Sequence, residues 1–325
     1  MKVALCFIIS YNHVLHKEKI WKEWIEPNKD IINVYFHYKD YNAIKSRWIK
    51  SNCLPKSQIN NTTYYYVVPA YMSILSYAFS HDTNNKWFCL LTDTCVPIIS
   101  PEHFRNLFNY YYSISIFKWK PAYWNIEIHT RANLKYLNKE YHLSNDPWFT
   151  LSRDHVHKCI LFLVKKNDIY KQICKGGLAN ESIFAIILQT FKELTNPFKI
   201  MNECSTITDW DNMSNATSPH IFEGTEQDIT YINNALDNNM YAMFLRKISP
   251  NFPDNLLQDI IYKRKNIHVY SDKYTNIIRK EKKFINILLF IGFIGFIGFI
   301  RLCFLTFPAL TTINTSNKSC HWFIC

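Results

Sequence analysis

The feature that most constrains the fold is a regular alternation of apolar, strand-like runs with helix-like segments. The first run, residues 3–9, has no polar side chain and ends at the polar Ser10. Further strand-like runs are predicted at 34–38, 64–68, 86–91, 113–117 and 148–152, and helices at 70–79, 101–108, from 154 and at 180–191. Such alternation predicts an α/β protein with a mostly parallel central sheet covered by helices on both faces. Ligands of such sheets bind at the carboxyl ends of the strands.

Glycine content excludes the common phosphate-binding loops. The sequence has six glycines, and three of them lie in one C-terminal run at 292–298. Gly176, Gly177 and Gly224 remain for the rest of the chain. Three glycines so placed cannot form a P-loop or a dinucleotide fingerprint, so both classes of nucleotide site are excluded.

The net charge of +11 favours an anionic partner. A Lys-, Asn-, Ile- and Tyr-rich composition, typical of AT-rich coding DNA, explains the charge equally well. No arginine-rich tract or finger motif occurs, so nucleic acid is not predicted as a partner. The binding of anionic nucleotide sugars or anionic lipid is sufficient to account for the charge.

The ten cysteines form no CxxC pair and have no zinc-finger spacing with histidine, so no structural zinc is predicted. Cys6, Cys89 and Cys95 fall in apolar runs and are predicted to be core residues. Seven cysteines precede the C-terminal region, an odd number that argues against a complete disulfide framework.

Glu181 is the candidate catalytic base. It precedes an apolar helix that Asn180 is predicted to cap, and it follows Gly176 and Gly177, which allow close approach of backbone to a ligand. A carboxylate near a helix N-terminus is stabilised as the anion. The alternative is a capping-region glutamate with no chemical role.

Two further groups are candidates for binding an anionic donor. The strand at 86–91 breaks at Asp93 and Thr94, which lack the second acid of an Asp-x-Asp motif, so no divalent metal is predicted. Arg246 and Lys247 follow an apolar strand at 241–245, where a cation would neutralise a departing diphosphate in place of a metal. Because side chains alternate along a strand, one of the two cations is expected to face the site. Two solvated surface cations are the alternative.

Five sequence motifs resemble those of the core-2/I-branching β-1,6-N-acetylglucosaminyltransferase family, including its plant and viral relatives. The closest match is Trp-Phe-Thr-Leu-Ser-Arg-Asp-His at 148–155. The others are the strand and turn at 87–98, Asn-Glu-Ser-Ile-Phe at 180–184, Asp-Trp at 209–210 with His220, and Phe-Leu-Arg-Lys-Ile at 244–248.

The resemblance implies a GT-A-like nucleotide-sugar fold and an inverting, metal-independent transfer from a UDP-sugar, with N-acetylglucosamine as the expected sugar, to a glycan acceptor. Glu181 would be the catalytic base and Lys247 the diphosphate ligand. The family's second phosphate-binding arginine has no match at 211–217, so Arg246 is expected to substitute, with Asp93 and Thr94 beside the donor. Candidate substrate-binding residues are Trp148, Arg153, Asp209 and Trp210, with a role in the core as the alternative for Trp148. The alternative is an inactive, membrane-tethered relative that acts as a binding module.

The sequence divides into a catalytic domain at 1–275, a basic linker at 276–283, an apolar segment at 284–310 and a tail at 311–325. The stretch 284–300 contains a single polar residue, Asn286, and predicts a single-pass membrane anchor. The alternative is an apolar tail that arose from a slippage-derived sequence repeat. Four basic residues at 279–283 predict a cytoplasmic catalytic domain. The family resemblance implies the lumen of the Golgi or endoplasmic reticulum instead.

Overall fold

The computed structural model describes residues 1–263, apart from 10–11, 64 and 216–217. The strands are β1 (Lys2–Ile8), β2 (Ile32–His37), β3 (Asn85–Thr92), β4 (Val96–Pro97), β5 (Ser115–Ile116), β6 (Trp119–Pro121), β7 (Leu143–Asn145), β8 (Thr150–Ser152), β9 (Ile200–Met201), β10 (Thr206–Ile207) and β11 (Phe244–Leu245). The α-helices are α1 (Glu18–Ile25), α2 (Arg47–Ser51), α3 (Val68–His81), α4 (Pro101–Tyr111), α5 (Arg153–Lys165), α6 (Asn167–Cys174), α7 (Ile183–Thr190), α8 (Glu226–Asn238) and α9 (Asp254–Lys263). Two of the 3-10 helices position the candidate site and span Arg131–Tyr136 and Ala179–Glu181.

The central sheet of the described chain has the strand order β2-β1-β3-β8-β5-β9. Strand β1 runs parallel to β2 and β3, and β5 runs parallel to β9. Strand β8 is antiparallel to both of its neighbours. The predicted α/β class with a mostly parallel central sheet is therefore confirmed. A smaller sheet has the strand order β10-β11-β4. Its strand β4 follows the end of β3 after a short turn.

The apolar runs form buried strands because both faces of a parallel sheet are covered. In β1 every residue after Lys2 is buried, and the predicted core cysteines Cys6, Cys89 and Cys95 are fully buried. No disulfide joins the cysteines of the described part of the chain. Helix α1 fixes the segment after β3, because the indole N–H groups of Trp21 and Trp24 donate to the backbone oxygens of Cys95 and Ile99 at 2.9 and 2.7 Å.

Helix α4 begins as predicted. Pro101 occupies its first turn, where a missing N–H costs no intrahelical hydrogen bond, and the Ser100 hydroxyl accepts from the His103 N–H at 3.1 Å. The predicted helices at 70–79 and from 154 are also present, as the longer α3 and α5.

Two local predictions are wrong. The described residues 65–68 of the Tyr- and Val-rich run do not form a strand: Thr63 and Tyr66 form an isolated bridge, and Val68 already begins α3, whose first turn holds Pro69. The fixed φ of proline suits a helix start and overrides the strand preference of the neighbouring residues. Asn180 does not cap α7 but lies in the preceding 3-10 helix, and Ser182 stands at the N-cap position.

None of the described helices is both long enough and apolar enough to cross a membrane. The predicted basic linker at 276–283, apolar segment at 284–310 and tail at 311–325 lie outside the described residues, as does the end of the predicted domain at 275. The membrane anchor and the cytoplasmic orientation stay predictions.

Candidate active site

The candidate site starts at the carboxyl end of β3, where sequence analysis placed Asp93 and Thr94. The strand ends in a turn in which the Cys95 N–H donates to the Thr92 backbone oxygen at 3.1 Å. The hydroxyl oxygens of Thr92 and Thr94 lie 3.2 Å apart. Since β1 and β3 are parallel, this strand-end turn lies at the sheet edge where ligands of α/β proteins bind.

Arg246 lies directly against this strand-end turn. Its Nε donates to the Thr92 hydroxyl at 3.1 Å, and its guanidinium carbon lies 3.8 Å from the centroid of the Trp148 ring. The backbone continues the contact, because the Ile248 N–H donates to the Thr94 oxygen at 3.0 Å. Stacking on the indole fixes the plane of the guanidinium.

Lys247 is half-buried beside Arg246. Burial lowers the pKa of its ammonium group, the Arg246 cation lowers it further, and Asp93 opposes both effects. Its Nζ lies 3.5 Å from the Ser218 hydroxyl, a long contact. Strand β11 ends at Leu245, so alternation along a strand does not govern these two cations. Two adjacent, partly desolvated cations favour the binding of an anion.

Glu181 lies in the short 3-10 helix before α7. Its Oε2 accepts from Nη1 of Arg131 at 3.1 Å. Burial raises the pKa of the Glu181 carboxyl above its usual range, the Arg131 cation opposes this, and Asp146 raises it again. The side-chain oxygens of its neighbours Asn180 and Ser182 are buried and have no partner among the described residues.

Tyr71 is a buried residue on which the charges of both Arg246 and Glu181 act. It lies on α3 and is 4% exposed. Burial raises the pKa of its hydroxyl, the Arg246 cation lowers it, and Glu181 contributes in the raising direction. One buried hydroxyl thus lies within electrostatic range of both the cationic half and the carboxylate half of the site.

Arg131 is the residue that sequence analysis missed. It begins a 3-10 helix whose next two residues, Ala132 and Asn133, have left-handed φ angles of 52° and 50°. That loop packs on Gly176, where an added Cβ would lie 2.4 Å from the Asn133 nitrogen. Gly176, one of the two glycines expected to allow a ligand close to the backbone, instead allows the close approach of the loop that carries Arg131. The one available sequence signal was Gly176 itself, which marks a close backbone approach.

This packing predicts different outcomes for two adjacent substitutions. Gly176→Ala places a Cβ within 2.4 to 2.7 Å of backbone atoms of residues 130–133, so we expect a loss of about 1–3 kcal/mol in the free energy of unfolding. Gly177→Ala is the matched control, because its nearest neighbour is the Tyr65 Cβ at 3.8 Å, and we expect a change within about 0.5 kcal/mol. Denaturant titration measures both. Equal stability of the two variants would contradict the close packing.

Arg153, another predicted substrate-binding residue, lies elsewhere. Arg153 stacks on Phe79 at 3.8 Å and donates to the backbone oxygens of Phe79 and Asn85. Asn85 starts β3 and Thr92 ends it, so Arg153 lies at the opposite sheet edge, about 23 Å away at 3.3 Å per residue. The structure does not bring Arg153 together with Lys247, and its contacts indicate a structural role.

Asp209 and Trp210 belong to a loop after β10. The Asp209 carboxylate accepts from the backbone N–H groups of Asp211 and Asn212 at 3.0 Å, and its backbone oxygen accepts from His220. The Asp209 side chain thus organises the loop. Trp210 is 43% exposed and remains a candidate for contact with a sugar.

Within the described residues, no three His, Cys, Asp or Glu side chains are arranged to hold a metal ion. Metal independence remains a prediction, because a lone carboxylate with substrate oxygens also holds a cation weakly.

Comparison with known families extends this picture. The model of the Core-2/I-Branching enzyme family matches residues 4–233. This chain belongs to the Core-2/I-branching enzyme family. The recognition made from the motifs is therefore confirmed, and the family is one of glycosyltransferases, whose substrates are a nucleotide sugar and a glycan acceptor. The match includes the strand-end turn, Arg131 and Glu181, whereas Arg246 and Lys247 lie beyond it. No curated protein matches the chain significantly.

Proposed function

We propose that the protein is an inverting, metal-independent glycosyltransferase that moves a sugar, N-acetylglucosamine in the first instance, from a UDP-sugar to a glycan hydroxyl. The observation that supports this most strongly is the position of Arg246 and Lys247 at the strand-end turn, with Arg246 and Glu181 both within electrostatic range of the buried Tyr71 hydroxyl. A departing diphosphate requires cations that stabilise its charge, and an attacking hydroxyl requires a base such as a carboxylate.

In the proposed reaction, the Glu181 carboxylate accepts the proton of the acceptor hydroxyl as its oxygen attacks the anomeric carbon. The new carbon–oxygen bond forms as the bond to UDP breaks, and UDP carries away the electron pair. Burial, which raises the pKa of Glu181, makes the carboxylate a stronger base than a solvated one. Positive charge develops on the sugar, as it does in glycoside hydrolysis.

The leaving diphosphate would be stabilised by Lys247 and Arg246. Arg246 is held in advance by Trp148 and Thr92, so its charge needs no reorientation during the reaction. Asp93 and Thr94 would lie beside the donor, and Trp148 and Trp210 remain candidates for contact with it.

The test is transfer from UDP-N-acetylglucosamine to a panel of glycan acceptors with EDTA present, read by proton NMR of the product. Since the donor carries an α linkage, inversion gives a β-linked product. We expect UDP release and a β-linked sugar in EDTA. An α-linked product contradicts inversion, and activity that EDTA abolishes and a divalent ion restores contradicts metal independence. UDP-glucose and UDP-galactose serve as donor controls.

The alternative of an inactive binding module rested partly on a missing second cation. Arg246 lies beside Lys247 and supplies a second positive charge, which favours the enzyme. Titration with UDP separates the two hypotheses, since the enzyme requires UDP affinity and the proposed module does not.

A further inference from the structure

The ion pair between Arg131 and Glu181 joins two segments that are distant in sequence. Nη1 and Oε2 lie 3.1 Å apart, and the two side chains are 34% and 23% exposed. The Arg131 guanidinium also lies over the Trp124 ring, 5.2 Å from its centroid. The arginine is thus placed between an aromatic face and the carboxylate.

The backbone on both sides of this ion pair is in a restricted conformation. Ala132 and Asn133 follow Arg131 with left-handed φ angles, and Leu178, three residues before Glu181, has a φ of 55°. Each such non-glycine residue costs on the order of 1 kcal/mol or more, so the surrounding contacts must hold it in place. Left-handed residues of this kind cluster at functional sites.

Hydrogen bonds hold the loop onto the segment that leads to Glu181. The Ala132 N–H donates to the Gly177 oxygen at 3.0 Å, and the Asn133 side-chain amide donates to the Gln172 oxygen at 2.8 Å. Gly176 leaves no space between the two backbones, so the loop that carries Arg131 packs closely on the segment that leads to Glu181.

We propose that Arg131 is a positioning residue that holds the Glu181 carboxylate in one orientation and in its ionised form for the acceptor hydroxyl. This inference rests on the proposed function, in which Glu181 is the base. In this proposal Arg131 acts through Glu181 and does not contact the reacting atoms.

Three elements bring titratable or charged groups to Glu181. They are the 3-10 helix that carries Arg131, the segment after β7 that carries Asp146, and α3 with Tyr71. Burial raises the pKa of Glu181 most, Arg131 is the group that lowers it, and Asp146 raises it. Without Arg131, burial and Asp146 still raise the pKa of Glu181, so its carboxylate becomes protonated at a higher pH. Because the base must be ionised, the acid limb of activity moves to higher pH.

The experiment compares pH profiles of kcat/KM for the wild type, Arg131→Gln and Arg131→Lys. We expect the acid limb of Arg131→Gln to move up by about 1 pH unit, the lower end of the range for loss of a nearby opposite charge. Arg131→Lys keeps the charge and should show a smaller shift. Arg105→Gln is the matched control, because Arg105 is 33% exposed and pairs with Asp30 on the other side of the sheet. Its acid limb should not move.

A second readout does not depend on turnover. In protein labelled with ¹³C at glutamate carboxyl groups, the Glu181 signal is the one that Glu181→Gln removes. Its titration midpoint should rise in Arg131→Gln and stay unchanged in Arg105→Gln. An unchanged midpoint overturns the inference, even if Arg131→Gln is inactive or poorly folded at low pH. A raised midpoint with full activity of Glu181→Gln instead supports the ion pair and refutes the proposed function.

Discussion

Glu181→Gln is expected to lower kcat by about 10²–10⁴-fold, because a positioned general base contributes a factor of this size. Glutamine keeps the shape of the side chain but does not accept the proton. The KM for the UDP-sugar should change little, since Glu181 serves the acceptor. Initial rates of UDP release measure both constants. Glu193→Gln is the matched control, because Glu193 is also an ion-paired glutamate of low exposure but lies after α7 with Lys158 and Lys199. Turnover of Glu181→Gln within a factor of ten of wild type would contradict the assignment.

The loss should not come from unfolding. Burial raises the pKa of Glu181 above its unfolded value, so its ionisation in the folded protein costs free energy once the pH exceeds the unfolded pKa. A neutral glutamine avoids that cost at pH 7. The thermal midpoint of Glu181→Gln at pH 7 should therefore equal or exceed that of the wild type, which a thermal scan checks.

Lys247→Met is expected to lower kcat/KM by about 10²–10³-fold, the size found when a group that stabilises developing charge is removed. Methionine keeps much of the apolar stem and removes the charge. Because Lys247 would contact the diphosphate both before and during bond breaking, the inhibition constant of UDP should rise as well. Lys2→Met is the control, since Lys2 pairs with Asp82 at the amino end of β1. Unchanged UDP inhibition in Lys247→Met would show that the anion binds elsewhere.

The fold was predictable where local pattern and tertiary context agree. Strands β1 and β3 were predictable from their apolar runs, because both of their faces are buried. Helix α4 was predictable from its start at Ser100 and Pro101. The run at 64–68 has strand-forming residues, yet Pro69 and the contacts of α3 select a helix start. Asn180 is a good capping residue by type, but it lies in the 3-10 helix, two residues before the N-cap position.

The site was predictable in part for a similar reason. Glu181, the strand-end turn and the two cations each stand in a short motif, so sequence order alone could suggest that they belong together. Arg131 stands in no such motif. Its contact with Glu181 spans 50 positions, and Arg131 is followed by left-handed backbone at Ala132, which the local preference of alanine does not predict. Arg153 also stands in a short motif, but that motif lies at the start of α5, where the guanidinium donates to backbone oxygens.

The most direct test of the account is a crystal structure of the protein with UDP-N-acetylglucosamine bound. The account predicts diphosphate oxygens within hydrogen-bond distance of Lys247 Nζ and the Arg246 guanidinium, with the anomeric carbon on the side of Glu181. A donor bound instead in the groove lined by Phe79, Lys86, Arg153 and His157, at the far end of β3, would contradict it.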